Sequence, residues 1–252
     1  MMNTEIFREY DIRGDVERDL TDDVVRNIGR AFGSYMASLG KKRSSICRDC
    51  RLSSGRYRDI LAEAMTESGL DVTDIGLAPT PLFYYSLHNL DVEGGIMVTG
   101  SHNPPTMNGF KVAVDKATIF GEKIQGLRRI IESGSYVQGT GSYREYGDIV
   151  RDYYAYLRSN ITIGKSFKVV IDAGNGTGGV IAAPIMREFT QDVTELFCEM
   201  DGRFPNHFPD PTVEKNLAVL RDTVLREKAD VGIGYDGDAD RIGVVDEKGG
   251  II

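Results

Sequence analysis

Apolar residues in the first part of the chain recur at two alternating periods. Val24, Val25, Ile28, Ala31, Phe32, Tyr35, Met36 and Leu39 form the one-sided stripe of an amphipathic helix. Thr21 offers an N-cap hydroxyl, Asp22 and Asp23 sit where the helix dipole favours anions, and Gly40 suits the C-terminal cap. Further helical patterns run from Ser54 to Ser68, closed by Gly69, from the Pro79/Pro81 pair through Leu87, and from Ile119 to Ile131. Short strand-like runs lie between them: Ser45 to Arg48, Val72 to Ile75, Gly95 to Val98, and Gly109 to Val114. In the last of these Phe110, Val112 and Val114 share one face and Lys111 points to the other. Phe7 to Gly14 predicts a short strand running into a loop.

The periodicity lapses from Ser133 to Gly147, a stretch rich in Gly, Ser and Thr that reads as a linker between domains. Helical spacing resumes from Ile149 to Leu157. A strand over Phe167 to Ile171 leads into the glycine-rich run Asp172 to Gly179 and a helix to Phe189. Val193 to Phe197 is a strand, Asp201 to Pro211 a Pro- and Gly-rich loop, and Thr212 the expected cap of a helix through Lys228. Val231 to Tyr235 and Arg241 to Val245 are the final strands. Alternating strands and helices predict an α/β fold of two consecutive domains, each with a mostly parallel mixed sheet flanked by helices. The boundaries fall at 1–146 and 147–252.

Composition narrows the function. A chain of 252 residues with 41% hydrophobic residues can bury a substantial core. The net charge of −8 argues against nucleic acid or an anionic membrane as partner, since both need a basic footprint. No apolar run reaches membrane-spanning length, and the N-terminus shows no signal-peptide pattern. Three cysteines, Cys47, Cys50 and Cys198, fit a reducing cytoplasm. Cys47 and Cys50 have redox or zinc spacing, but no second ligand pair follows, so they read as a chance pair.

Two stretches carry candidate chemistry. The apolar run ending at Val98 breaks into Thr99, Gly100, Ser101, His102, Asn103, Pro104 and Pro105, which presents a serine hydroxyl at a strand's carboxyl end. Alone, this is an ordinary turn. Far downstream, Asp236, Asp238 and Asp240 are spaced by two with Gly237 and Ala239 between them. In a tight loop such carboxylates converge and repel, and a hard divalent cation relieves the repulsion. An EF-hand fails, because Arg241 and a strand stand where its glycine and bidentate Glu belong. An aspartyl-phosphate phosphatase would place its motif near a domain's start. The glycine-rich run after Ile171 imitates a dinucleotide loop but lacks the acidic residue ending a second strand, so small residues for close helix packing are the better reading.

Four motifs together carry a resemblance: Phe7 to Gly14, Thr99 to Pro104, Asn108 to Lys111, and Asp236 to Arg241. In this order they resemble the α-D-phosphohexomutase superfamily, in its phosphomannomutase/phosphoglucomutase branch, over nearly the whole chain. The loop Asp201 to Pro211 resembles that branch too, whereas phosphoglucosamine mutases tend to carry a different loop there and Gly at position 239. Arg48 to Ser53 resembles a further family segment, with one departure: Cys47 stands where that segment usually begins with Gly, which implies a local backbone adjustment.

The resemblance implies interconversion of hexose 1-phosphate and hexose 6-phosphate, of mannose or glucose, through a phosphoserine and a hexose 1,6-bisphosphate that is also the activator. It implies Ser101 as phosphoryl carrier, and one Mg²⁺ per chain held by Ser101, Asp236, Asp238 and Asp240. Lys111 is the implied general acid/base, and Arg13 and Arg241 orient phosphate. Tyr10, His102 and Asn103 are candidates beside them, with His102 either positioning the loop or shuttling a proton. His207 reads as a structural loop residue. Family members have four domains and the chain supplies two, so the expectation is a weakly active N-terminal half, served by self-association or a complementary C-terminal half. Two other readings stay open: a non-catalytic metal- and phosphate-binding module, and a hydrolase that loses phosphate to water. A phosphoglucosamine mutase is the alternative within the superfamily.

Overall fold

Strand β4 (Gly94–Val98) is buried at every position, and the first sheet grows outward from it. The preceding elements are β1 (Ile12–Asp15), α1 (Asp22–Ser38), β2 (Arg43–Arg48), α2 (Ser54–Glu67), β3 (Asp71–Leu77) and α3 (Thr80–Asn89). After it come β5 (Met107–Val114), β6 (Ala117–Thr118), α4 (Glu122–Ser133) and β7 (Tyr143–Glu145). A computed structural model describes residues 2–252. The strands order as β1-β5-β4-β2-β3-β7, with β6 paired to β5. Pairing is parallel from β4 through β2 and β3 to β7 and antiparallel wherever β5 takes part. The sheet is therefore mixed, with β5 returning against β4 after the Ser101 loop.

The α1 stripe read from the sequence buries Val25, Ile28, Ala31, Phe32 and Met36. These join Ile46, Tyr57, Leu61, Ile96, Val98 and Phe110 in one core. Thr21 caps α1, its hydroxyl accepting from the Val24 amide at 3.4 Å.

The second unit holds α5 (Ile149–Asn160), β8 (Lys168–Asp172), α6 (Ala182–Arg187), β9 (Asp192–Leu196), α7 (Ala218–Glu227), β10 (Val231–Tyr235) and β11 (Ile242–Asp246). Its sheet runs β11-β10-β8-β9, parallel but for the antiparallel β10–β11 pair. One face buries Val170 against Leu217, Leu220 and Val224, and another cluster joins Val169 and Ile171 to Ala182 and Ala183. Two short pieces, Ala78–Pro81 and Ser101–Pro105, group with this second unit although sequence neighbours on both sides belong to the first. Among the described residues no helix is long and apolar enough to cross a membrane.

Three local expectations change. The region Phe7 to Gly14 runs in the opposite sense: residues 8–11 form the loop and the strand follows at Ile12. Thr212 caps no helix; its hydroxyl and amide donate to Asp210 Oδ1, at 2.6 and 3.1 Å. This local turn competes with a cap, and α7 starts only at Ala218 after a 3-10 turn over Glu214–Leu217. The stretch Ser133 to Gly147 is not a free linker. Its last part forms β7 beside β3, and the Gly139 and Gly141 amides donate to Glu67 and Thr66. A Cβ on Gly141 would stand 1.9 Å from the Leu70 carbonyl oxygen, so only glycine seats this segment.

Gly141→Ala should therefore detach β7 and destabilise the chain by about 1–3 kcal/mol. Limited trypsin digestion checks this: Arg144, bonded through Nε to Thr73 at 3.0 Å, should resist cleavage in the wild type and be cut readily in the variant.

Candidate active site

Tyr235 ends β10 and the chain turns through Asp236 to Arg241 before β11 starts at Ile242. Within this loop the carboxylates of Asp236, Asp238 and Asp240 each bring an oxygen within 4.8 Å of the others. Asp236 and Asp238 are wholly buried, and Asp240 lies at the surface. Burial pushes the Asp236 carboxyl up to about 7, and the Asp238 and Asp240 charges push the same way; the Ser101 hydrogen bond and Arg241 only partly offset them. Hard oxygen donors in this number and closeness suit a divalent cation such as Mg²⁺, whose charge would stabilise all three carboxylates.

The serine hydroxyl comes to this loop directly. Ser101 Oγ donates to Asp236 Oδ2 at 2.7 Å and accepts from Arg241 Nη2. Arg241 Nη2 also donates to Asp236 Oδ2 at 2.8 Å, and the Arg241 and Asp240 amides both donate to Asp236 Oδ1 at 3.1 Å. The backbone is held in unusual conformations to achieve this. Ser101 has φ 49° and Ala239 φ 56°, left-handed values that cost a non-glycine residue about 1–2 kcal/mol each. Gly237 is required by a close approach: a Cβ there would stand 2.4 Å from the Ser101 carbonyl oxygen. The ordinary-turn reading of the Asn103-Pro104-Pro105 stretch thus gives way to a strained, buried serine.

His102 Nδ1 lies 2.7 Å from Asp210 Oδ2 and 3.3 Å from Arg241 Nη1. The shorter contact fits an Nδ1–H donated to the carboxylate, which leaves Nε2 as the ring's acceptor. Burial raises the Asp210 carboxyl, but hydrogen bonds from Thr212 and His102 outweigh it and hold the group below its ordinary value. A cavity of about 510 Å³ beside this pair is lined by His102, Asn206, His207, Asp210 and Lys215, among others. Asn103 is half-buried on the same loop.

The remaining sequence candidates sit in the first unit. Arg13 in β1 is opposite Gly109 in β5, so Lys111, two residues on, projects from the same face of the sheet. Gly109 is what lets Arg13 lie there, since a Cβ would meet the Ile12 carbonyl oxygen at 2.3 Å. Arg13 Nη2 donates to Asp11 Oδ2 at 2.5 Å, Lys111 is half-buried, and Tyr10 is exposed with its ring 6.3 Å from that of Phe120.

Several supporting residues were given no role from the sequence. Asp49 accepts from the Gly100 amide at 3.2 Å, from Ser54 Oγ at 2.5 Å and from the Arg51 amide at 3.0 Å. Arg51, fully buried, pairs with Asp49 at 3.2 Å and donates to the Met107 carbonyl at 2.9 Å, bracing both ends of the Ser101 loop. Cys47 fits inside β2 with its sulfur 3.1 Å from that of Met97, and the β2–β3 register shifts beside it, with Gly76 at φ 77°. The glycine-rich run after β8 reaches the aspartate loop: Thr177 donates its amide and its hydroxyl, both at 3.0 Å, to the Gly237 carbonyl. Thr80 also reaches the aspartate loop, at Asp238.

His207 is more than loop filler. Its Nε2 lies 3.1 and 3.2 Å from the two oxygens of buried Asp172, and its Nδ1 is 2.8 Å from the Phe208 carbonyl. Acceptors at both nitrogens favour the doubly protonated ring. Burial lowers its pKa, but the Asp172 hydrogen bond and charge outweigh this and leave it raised.

Comparison with known proteins places these features. Residues 4–138 match the family profile described as phosphoglucomutase/phosphomannomutase, alpha/beta/alpha domain I, and residues 151–249 match domain II. The chain is 44% identical over 247 residues to a phosphomannomutase/phosphoglucomutase of Pseudomonas aeruginosa, covering 98% of this chain and 53% of that one. It is 42% identical over 250 residues to a phosphoglucomutase of Neisseria meningitidis, covering 98% and 54%. A crystal structure of a phosphoglucomutase/phosphomannomutase family protein from Burkholderia thailandensis superposes with a TM-score of 0.96 at 39% identity, over 100% of this chain and 57% of that one. The chain thus spans about half the length of the relatives it matches.

The Asp172–His207 pair generates a pH-dependent stability. Because the histidine's folded pKa is raised above its ordinary 6.5, its contribution is full below that value and is lost as pH rises through the elevated one. Urea midpoints of the wild type and His207→Gln should differ most at acidic pH and converge at alkaline pH.

Proposed function

The chain belongs to the phosphoglucomutase/phosphomannomutase family, and we propose that it carries the phosphoryl-donor and metal-binding half of a hexose phosphomutase acting on glucose or mannose phosphates. The reading rests chiefly on one observation: the Ser101 hydroxyl sits 2.7 Å from a carboxylate of the aspartate triad and within the grip of Arg241. A lone turn serine has no use for such partners. A phosphate on Ser101 would add an oxygen donor beside three carboxylates and set its own negative charge beside the Arg241 guanidinium fork.

In the reaction, the bond between Ser101 Oγ and phosphorus breaks as a hexose hydroxyl oxygen bonds to phosphorus, and the hydroxyl proton leaves to a base. The product is a hexose 1,6-bisphosphate; returning its other phosphoryl group to Ser101 completes the exchange of positions. Asp236, Asp238 and Asp240 would hold Mg²⁺, which supplies charge neutralisation for phosphoryl transfer. Arg241 holds the serine oxygen and can orient its phosphate. His102, fixed by Asp210, presents Nε2 beside the loop. Lys111 is assigned the base, with Arg13 on the same sheet face to bind phosphate, an assignment that follows the family motif.

Incubation with glucose 1,6-bisphosphate or mannose 1,6-bisphosphate and Mg²⁺, followed by intact-mass analysis, tests it. One phosphate should appear in the wild type, be absent in Ser101→Ala, and pass to an added hexose monophosphate. Asp236→Asn should slow this labelling by at least on the order of a hundredfold. Phosphate released only as the inorganic ion would instead favour a hydrolase, and absence of labelling with both sugars a binding module.

A further inference from the structure

We propose that Thr80 is a positioning residue for the metal centre, orienting the Asp238 carboxylate through a two-point clamp. The inference rests on the triad's being a cation site and names a residue outside it. Thr80 is wholly buried, as is Asp238. Its Oγ1 donates to Asp238 Oδ2 at 2.6 Å, and its amide donates to the Asp238 carbonyl at 2.8 Å. One residue thus ties both the side chain and the main chain of a single ligand.

The flanking sequence makes the clamp stiff. Pro79 and Pro81 lack amide hydrogens and have locked φ angles, so Thr80 supplies the only backbone donor of the three. The branched side chain of threonine restricts χ1 as well. With Oδ2 held by the hydroxyl, rotation of the carboxylate about its Cβ–Cγ bond is restrained, and Oδ1 keeps a defined direction. Thr177 grips the neighbouring Gly237 carbonyl but touches no carboxylate, so the two threonines differ in kind. Mg²⁺ demands near-ideal octahedral geometry, whereas Ca²⁺ tolerates varied angles and ligand numbers. Loss of the Thr80 hydroxyl should therefore penalise Mg²⁺ more than Ca²⁺.

The test is calorimetric titration of the full 252-residue chain with each cation alone. Hydrogen-bond partners behind metal ligands are typically worth tenfold to a hundredfold in affinity, so Thr80→Val should weaken Mg²⁺ binding by about tenfold or more, and Ca²⁺ binding by less. Thr80→Ser, which keeps the hydroxyl, should stay within about twofold of wild type on the same scale. In an Asp238→Asn background Thr80→Val should have little further effect on Mg²⁺ affinity, because it acts through that carboxylate. Circular dichroism establishes that each variant is folded, and Thr80→Ala takes the place of Thr80→Val if the latter is not. Equal Mg²⁺ affinity in folded Thr80→Val and wild type overturns the proposal. So does an equal loss for both cations that adds fully to Asp238→Asn, since that is the signature of a general structural role. A wild-type chain that takes up neither cation overturns the metal reading itself, and the role of Thr80 with it.

Discussion

Buried negative charge is the constraint around which the second unit is arranged. Asp236 and Asp238 are removed from water, a costly state unless hydrogen bonds and opposite charge compensate. The surrounding chain supplies donors in kind: the Ser101 and Thr80 hydroxyls, the Arg241 guanidinium, and the amides of Asp240 and Arg241. These are not enough to hold Asp236 in the ordinary carboxylate range. A divalent cation at the loop would offset the charge that remains.

Convergence on that charge accounts for the local strain. Two non-glycine residues, Ser101 and Ala239, adopt left-handed backbone, and Gly237 lies so close to the Ser101 carbonyl that no side chain fits. Such conformations persist only where the surroundings over-determine them. Here the glycine-rich run after β8, clamped on the Gly237 carbonyl by Thr177, supplies part of that support. A run that imitates a dinucleotide loop thus serves the aspartate loop.

Within the first unit, register decides which side chains share a face. Because β5 returns antiparallel to both β4 and β1, Arg13 and Lys111 share a face of the sheet, and Gly109 clears the space between strands. Asp49 and the buried Arg51 hold Gly100 and Met107 by their backbones. Both residues fall in the segment Arg48 to Ser53, whose resemblance to a family segment gave neither of them a role; Cys47, just before it, is packed in the core and the Cys50 thiol within it is pushed up to about 12 by burial.

What the sequence by itself determined was periodic or local. The helical stripes, the buried β4 run, the alternation of β5 and the spacing of Asp236, Asp238 and Asp240 follow from side-chain patterns along one element, so they were legible without a structure. The family resemblance was legible for the same reason, since it resides in short contiguous motifs. Tertiary structure alone decided what depends on residues distant in sequence: that Ser101 faces Asp236, that Asp210 holds His102, that Asp172 takes His207, and that Thr80 grips Asp238. It also made an edge strand of Tyr143–Glu145, late in the Ser133–Gly147 stretch, and replaced the Thr212 cap with a turn, because backbone donors there found partners that no local pattern announces. Hydrogen bonds and charge compensation are satisfied in space, and a period along the chain carries no record of them.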